Sequence, residues 1–266
     1  NAEAGVVRRQ PVGQVVWTEA FSAFGHRNYR IFFSGQVISL IGTWLQTTAE
    51  GWLVYQLSGS SVALGMIRSA HMLPFALLAM WGGMVADRRS KREILLFTQV
   101  ASMLLALLLA GLVYWGVVQV WHVALIGLAL GVVNAFDVPA RQTIVVELVG
   151  KGDLINGIAL NSSMFNLARV LGPAMAGLLI GGIGMAGCFL LNGISYIAVI
   201  VGYGMLRLPK FEPKPNPPAF LAATREAVLY IARHGPLRGI MILISTFSVF
   251  GISFAVLMPV FAKDVL

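Results

Sequence analysis

Long apolar segments alternate with short charged ones along most of the chain. Residues 32–49 carry no charge, and no Asp, Glu, Lys or Arg occurs within residues 94–136 or within residues 170–206. A helix needs about 20 apolar residues to cross a hydrocarbon core of about 30 Å, so the two longest segments are each predicted to cross twice. The predicted spans lie at residues 32–55 and 62–86, twice within 94–136, twice within 170–206, and at 239–262. The pattern therefore predicts an all-α polytopic membrane protein with seven transmembrane helices.

A different composition separates the sixth predicted span from the seventh. Residues 209–218 contain five prolines, which favours an extended linker over a helix. Residues 220–234 then place apolar side chains at helical spacing opposite charged ones, which predicts an amphipathic surface helix. The predicted domains are a cytoplasmic N-terminal segment at 1–31, a six-helix half at 32–208, a cytoplasmic linker with this helix at 209–238, and the seventh span at 239–266.

Composition supports lipid as the main solvent of this chain. Hydrophobic residues make up 58% of it and charged residues only 11%, whereas soluble domains contain about 25% charged residues. The net charge of +8 does not predict nucleic-acid binding, because the basic residues form short clusters between apolar segments. We find no phosphate-binding loop and no Cys/His cluster, so the sequence predicts neither an enzyme nor a bound cofactor or metal.

The distribution of basic residues predicts the orientation of the chain. Sixteen of the 19 Lys and Arg residues fall on one side of the predicted membrane, and the loops at 56–61, 116–120 and 184–187 contain none. Because Lys and Arg are retained in cytoplasmic loops, we expect a multi-pass protein of the cell (inner) membrane with a cytoplasmic N-terminus.

Polar side chains recur on one face of the first predicted span. Gln36, Ser39, Thr43, Gln46 and Glu50 are spaced by three or four residues, so they lie on one side of a helix. Polar groups are costly against lipid, so this face is expected to line a water-accessible cavity. The alternative is that these side chains form hydrogen bonds between packed helices.

Other predicted spans also carry polar and charged side chains, and the charged ones favour a role in a pathway or an ion pair. These further candidates for a substrate or ion pathway are Arg68, His71, Asn134, Asp137, Asn166 and Arg169. Glu50 and Arg68 lie at similar depths near the outer end of consecutive spans, and we expect them to form an ion pair.

The short loop after the second span carries the most specific motif. Gly83, Asp87, Arg88, Lys91 and Arg92 follow the pattern Gly-x-x-x-Asp-Arg-x-x-Lys-Arg, which resembles the loop between the second and third helices of the major facilitator superfamily. The resemblance implies a twelve-helix fold, of which this chain is the N-terminal half and the seventh helix, and implies that Asp87 and Arg88 close the cytoplasmic side. Arg141, in the fourth span, is expected to take part in this gate.

Further segments resemble the efflux branch of that superfamily that includes enterobactin exporters. They are Arg27–Gly35, Asn134–Gln142 and Asn166–Pro173. Gly172, Pro173 and Gly177 in the fifth span are similar to the glycine-proline motif of the antiporters, although Ala168 and Ala176 replace two of its glycines. The motif implies a helix that bends, whereas close packing by small residues is the alternative.

These observations predict a secondary active transporter that exports a drug-like or siderophore-like small molecule by alternating access. The resemblance adds protons as the coupling ion and antiport as the mode of transport. The expected partners are the small-molecule substrate, the lipid bilayer and the C-terminal half of the same full-length chain, without nucleic acid. The alternatives are a membrane scaffold or receptor that transports nothing, and a truncated half-transporter that is inactive.

Overall fold

The computed structural model describes residues 21–208, residue 211 and residues 220–251, and in this part of the chain every regular element is helical. A short 3-10 helix, Ser22–Gly25, precedes the first long helix. The α-helices are α1 (Arg27–Ser58), α2 (Ser61–Arg88), α3 (Lys91–Tyr114), α4 (Val120–Val149), α5 (Leu154–Met205), α6 (Phe220–Arg233) and α7 (Gly235–Gly251). The predicted all-α membrane fold is confirmed.

The long helix α5 is a hairpin of two antiparallel arms. Its backbone breaks at Gly184, where φ is 70° and ψ is 177°, a conformation that glycine adopts without steric cost. Near the start of α5, the Gly157 carbonyl accepts a hydrogen bond of 3.0 Å from the Tyr29 hydroxyl. Just after its end, the Arg207 carbonyl accepts one of 2.8 Å from Asn28. Both ends of α5 therefore meet the beginning of α1, and each arm is long enough to cross a bilayer.

Within the described residues, α2, α3, α4 and α5 are the four helices long and apolar enough to cross a membrane. A fifth span is possible if the bent pair Thr224–Arg233 and Gly235–Ser248 counts as one. The helix α1 is not among the four, although it is 32 residues long, because Gln, Ser, Thr and Glu interrupt its apolar character. The predicted surface helix coincides with α6, which meets α7 at a bend of 102°. The predicted seventh span lies partly outside the described residues, so the count of seven remains a prediction.

The core consists of three apolar clusters. The smallest contains Leu40, Met164 and Ala168, and a polar layer separates the two larger ones. One of the larger clusters, at the inner end of the predicted topology, contains Tyr29, Phe32, Leu95, Ile144 and Tyr203. The other contains the outer parts of the same helices, from Leu45 in α1 to Phe189 in α5. All the buried polar residues of the described chain lie in the layer between these clusters. They are Gln36, Ser39, Gln46, Thr98, Gln99, Ser102, Asp137 and Asn192.

The helices do not pack mainly against their neighbours in sequence. The most extensive contacts join α1 to α5 and α2 to α4, and α1 meets α2 over only a short stretch. The α2–α4 contact is close because of glycine. A Cβ atom on Gly82 would lie 1.8 Å from the Ala135 carbonyl oxygen, and one on Gly131 would lie 2.3 Å from the His71 carbonyl oxygen. Small residues at these crossings let the two backbones approach as they do in many membrane proteins.

Candidate functional site

Asp137 is the centre of the buried polar layer. Its side chain is almost fully enclosed, yet the carboxylate is neutralised within its own helix, since Arg141 lies one turn further along α4 with Nη2 at 3.0 Å from Oδ2. Its other oxygen, Oδ1, accepts hydrogen bonds from Thr98 at 2.9 Å and from Gln99 at 2.8 Å. The predicted candidates Asp137 and Arg141 are therefore a buried ion pair that joins α3 to α4.

Gln36 extends this layer across the half. Its side-chain oxygen accepts a hydrogen bond of 3.3 Å from Arg141, and its side-chain nitrogen donates one of 2.7 Å to the Tyr203 hydroxyl. A continuous network thus runs from α3 through α4 and α1 to the second arm of α5. Within the described residues, no buried side-chain nitrogen or oxygen lacks a hydrogen-bond partner, so the network is fully satisfied.

Part of the polar face of α1 is packed against helices, which corrects its expected exposure to a cavity in this conformation. Gln36, Ser39 and Gln46 are 1%, 5% and 6% exposed, and Gln46 accepts a hydrogen bond of 2.7 Å from Asn192. The physical reason is that the second arm of α5 covers this side of α1. Thr43 and Glu50 are only partly buried, and for these two the cavity role stays a prediction.

His71 and Asn134 meet across the α2–α4 contact, with the ring nitrogen Nε2 and the amide nitrogen Nδ2 3.0 Å apart. The Arg68 guanidinium lies within electrostatic range of both Glu50 and His71. Among the described residues, however, the ion pairs closer than 4.0 Å do not include one between Glu50 and Arg68. The helices α1 and α2 contact each other over only a short stretch. The ion pair between Glu50 and Arg68 therefore stays a prediction for another conformation.

Asn166 and Arg169 lie on an exposed face of the first arm of α5. The Arg169 guanidinium lies over the Trp44 ring of α1, 5.9 Å from the ring centroid. Phe165, one turn before Arg169, packs edge-on against the same ring at 5.6 Å. The Asn166 amide nitrogen donates a hydrogen bond to the Ser162 carbonyl at 2.9 Å. The structure thus joins Arg169 to an aromatic pair, whereas Asn166 bonds within its own helix.

The loop motif between α2 and α3 is held from two sides. Lys91 forms an ion pair with Glu147, near the end of α4. The Arg92 side chain donates hydrogen bonds of 2.8 and 2.7 Å to the carbonyls of Tyr203 and Gly204, in the last turn of α5. A cation that binds carbonyls in the last turn also compensates the negative end of the helix dipole.

Asp87 and Arg88 are exposed at the end of α2, and within the described residues Asp87 makes no ion pair. Arg141 pairs with Asp137 rather than with Asp87. Gly83 has open space where a Cβ atom would lie. The gate role of these residues stays a prediction for contacts outside the described part of the chain.

The segment before α1 is held against the beginning of α5. His26 Nε2 lies 2.7 Å from an Asp153 carboxylate oxygen in the loop before α5, and the Ala23 amide donates a 3.1 Å hydrogen bond to Asn156. Hydrogen bonds from Ser22 and then from His26 lower the pKa of Asp153 below its ordinary value, because they stabilise the ionised carboxylate. Asp153 therefore stays charged at neutral pH.

The expected bending motif in α5 follows ordinary helical geometry. Gly184 is the position with non-helical dihedral angles within α5, so the helix continues through Pro173 without a break. A Cβ atom on Gly172 would lie 2.3 Å from the Trp44 Cβ, whereas Gly177 has open space at that position. Ala168, Gly172 and Ala176 are all buried, so these small residues pack α5 against α1. Bending in another state stays a prediction.

Comparison with known proteins supplies the family. Residues 18–266 match the family model described as "Transmembrane secretion effector". The chain belongs to this family of the major facilitator superfamily. A transmembrane secretion effector is a membrane protein, and the apolar helices α2–α5 agree with that class.

This chain has relatives that are named as a transporter, an efflux protein or an efflux pump. It is similar to the "Staphyloferrin A transporter" of Staphylococcus aureus (strain NCTC 8325 / PS 47), with 25% identity over 89% of this chain and 59% of that protein. It is 19% identical to "Macrolide efflux protein A" of Streptococcus pyogenes, over 90% of this chain and 60% of the relative. Identity to the "Multidrug efflux pump Tap" of Mycolicibacterium fortuitum is 24%, over 63% and 42% respectively. The chain spans about half of these relatives' lengths, and no solved structure matches it.

The sequence analysis did not identify several residues of the buried polar layer. Thr98, Gln99, Asn192 and Tyr203 contribute to the polar layer, and each is a polar residue within an otherwise apolar segment. Their occurrence in such segments was a usable signal, because a polar side chain in a membrane helix needs a partner. Trp44 gave no comparable signal, because an aromatic residue in a membrane helix is ordinarily read as packing.

Proposed function

We propose that this chain is the N-terminal half and the seventh helix of a secondary active transporter that exports a small molecule from bacterial cells by alternating access. The observation that carries the proposal is the placement of charge. Glu50, Arg68 and Arg169 lie within membrane-length helices and are not paired with one another, while the polar layer next to them is fully satisfied. Charged residues at this depth characteristically mark a substrate or ion pathway.

The bracing of the loop motif supports movement of this half as one body. Lys91 and Arg92 tie the start of α3 to the ends of α4 and α5, and the polar layer ties α1, α3, α4 and α5 together. In alternating access one such body rocks against a second one around a site near the midplane. The proposal therefore includes a C-terminal half, a cytoplasmic N-terminus in the cell membrane, and Asp87 as a cytoplasmic gate residue.

The names of the relatives guide the choice of substrates to test. An efflux-deficient bacterial strain expressing the full-length protein should accumulate less erythromycin and less ethidium than the same strain with an empty vector. A third probe is staphyloferrin A, added outside inverted membrane vesicles, whose uptake corresponds to export and is followed by mass spectrometry. Export of any one of the three supports the proposal, and equal accumulation of all three despite normal membrane expression favours a scaffold or an inactive half.

Asp87→Asn tests the gate within the same assay. The carboxylate is exposed at the end of α2, so the substitution should leave the fold intact and reduce export to the empty-vector level. Glu93→Gln is the matched control, because Glu93 is equally exposed in the first turn of α3 but lies outside the Asp-Arg pattern. Wild-type export by the Asp87→Asn protein would remove the gate role.

A further inference from the structure

Arg169 lies at the centre of the first α5 arm, and its one described partner is an aromatic ring. Leu154 and Gly184 are each 15 residues away from Arg169, so the side chain projects from the centre of the first arm of α5. About 22 Å of helix lies on either side at 1.5 Å per residue, which exceeds half of a hydrocarbon core about 30 Å thick. Arg169 therefore cannot place its guanidinium in an interface by extending along the helix.

Within the described residues, the Arg169 guanidinium makes no hydrogen bond and no ion pair, and its one described polar contact is with the face of Trp44. Arg141, in contrast, is neutralised by Asp137 and bonded to Gln36. A guanidinium exposed at this depth needs water or an anion. The surroundings of Arg169 therefore leave its donors available to a ligand.

The face on which Arg169 lies is distinct from the two apolar faces of the same arm. A buried face with Ala168, Gly172 and Ala176 packs against α1. An exposed apolar face carries Leu167, Val170, Leu171 and Leu178. The third face carries Ser162, Phe165, Asn166 and Arg169, at the helical spacing of one side. We expect the exposed apolar face to contact lipid and the face with Arg169 to line a polar cavity.

Trp44 and Phe165 give this site a definite shape. Trp44 is near the middle of α1, Phe165 packs edge-on against it, and Phe165 is 45% exposed. The Trp44 indole orients the guanidinium by a cation–π contact, while the Phe165 ring presents an apolar surface beside it. A planar guanidinium presents donors that fit both oxygens of a carboxylate.

The charges that lie away from the ends of α1–α5 also favour an anion. Glu50, Arg68, Asp137, Arg141 and Arg169 are the charged residues there, three cationic and two anionic, so one positive charge is left uncompensated. Arg68 lies within electrostatic range of Glu50 and offsets its charge. Arg169 is on another helix and has no such acidic neighbour among the described residues.

We propose that Arg169, Trp44 and Phe165 form a midplane binding site for an amphipathic organic anion, with its carboxylate on Arg169 and its apolar or aromatic body on the two rings. The assignment rests on the proposed function for its place in a transport pathway, since it names the substrate class of that pathway.

Equilibrium binding to the full-length protein in lipid nanodiscs tests the site without requiring transport. Three probes share one naphthalene ring and differ in charge: 2-naphthylacetate is an anion, 2-naphthylacetamide is neutral, and 2-(2-naphthyl)ethylamine is a cation. Equilibrium dialysis with naphthalene fluorescence gives the Kd of each, and empty nanodiscs correct for partition into lipid. Wild-type protein should bind the acetate about tenfold more tightly than the amide, the usual scale of one charge-assisted contact.

Arg169→Gln should raise the Kd of the acetate about tenfold and leave the Kd of the amide unchanged, because it removes the charge and keeps the ring platform. Arg169→Lys keeps the charge but not the bidentate hydrogen-bonding geometry, so it should give an intermediate Kd for the acetate. This variant also controls for misfolding. Arg225→Gln, a change at an exposed arginine of α6, should have no effect on any of the three probes.

Tighter binding of the ethylamine than of the acetate, equal loss of all three probes in Arg169→Gln, or no binding of any probe by wild-type protein would overturn the anion site. These results do not depend on export. Export of erythromycin or ethidium without anion binding would refute this site and retain the proposed function. Anion binding without any export would retain this site and refute the proposed function.

Discussion

Asp137 has a side chain that is 3% exposed, and its charge is balanced by Arg141 on the same helix. Two further donors, from Thr98 and Gln99, bind the carboxylate oxygen that Arg141 leaves open. A buried ion pair can contribute little net stability when it is compared with apolar residues of the same shape, yet removing one partner leaves an uncompensated charge. The hydrogen bonds from Thr98 and Gln99 link α3 to this ion pair on α4.

Asp137→Asn should destabilise the protein by about 3–5 kcal/mol, because it leaves the Arg141 guanidinium charged and largely buried. The double change Asp137→Asn with Arg141→Gln should recover part of that loss, since both charges are then absent. Thermal unfolding of the purified full-length protein in one detergent provides the measurement, and the exposed Glu93→Gln variant is the control. Strictly additive losses in the double variant would show that the two side chains act independently.

How far the sequence predicts this network differs from residue to residue. The composition of each segment identified Gln36, Asp137 and Arg141 as membrane-embedded polar residues, because their cost in lipid does not depend on the fold. Their partners could not be identified in that way. Tyr203 is 167 residues from Gln36, and their contact depends on the α5 hairpin, whose closing position among several nearby glycines is set by packing.

At the scale of helices, glycine position decides the α2–α4 contact. Gly82 and Gly83 are adjacent and look equivalent in the sequence, yet only Gly82 faces the α4 backbone, 1.8 Å from the Ala135 oxygen for an added Cβ. Gly83 belongs to the loop motif and has open space there. The sequence pattern therefore identified the motif glycine, Gly83, and missed the packing glycine, Gly82. Which of the two faces α4 depends on how the helices are rotated about their axes.

Gly82→Ala should force α2 away from α4 and destabilise the protein by about 1–3 kcal/mol, the usual cost of overpacking. Gly65→Ala is the matched control, because Gly65 lies on the same helix with nothing within 4 Å of an added Cβ. Its melting temperature should equal or slightly exceed that of the wild type, since alanine is the better helix former. Equal melting temperatures for both variants would contradict the close contact.

At the scale of the whole molecule, the three faces of the first α5 arm predict which surfaces border water, lipid and protein in the full-length protein. The face with Asn166 and Arg169 should border water, and the face with Leu178, which is 80% exposed, should border lipid. Gln36, although polar, should border neither, because it is enclosed by the Tyr203 and Arg141 side chains. The polar or apolar character of the exposed side chains distinguishes a face that borders water from one that borders lipid.

Single cysteines in the full-length protein separate these three environments. In a background with Cys188→Ser, the one cysteine of this sequence, and with any cysteine of the remaining chain also replaced by serine, Asn166→Cys and Thr43→Cys should react with a charged methanethiosulfonate reagent. A thiol reacts as the thiolate and needs water. Leu178→Cys should stay unmodified because lipid excludes both the reagent and the charge, and Gln36→Cys because packed helices enclose it. Mass spectrometry after denaturation gives the modified fraction. Labelling of Leu178→Cys as fast as Asn166→Cys would place that face in water too and contradict the assignment of faces. Fast labelling of Gln36→Cys would show that the α1–α5 contact opens in another conformation.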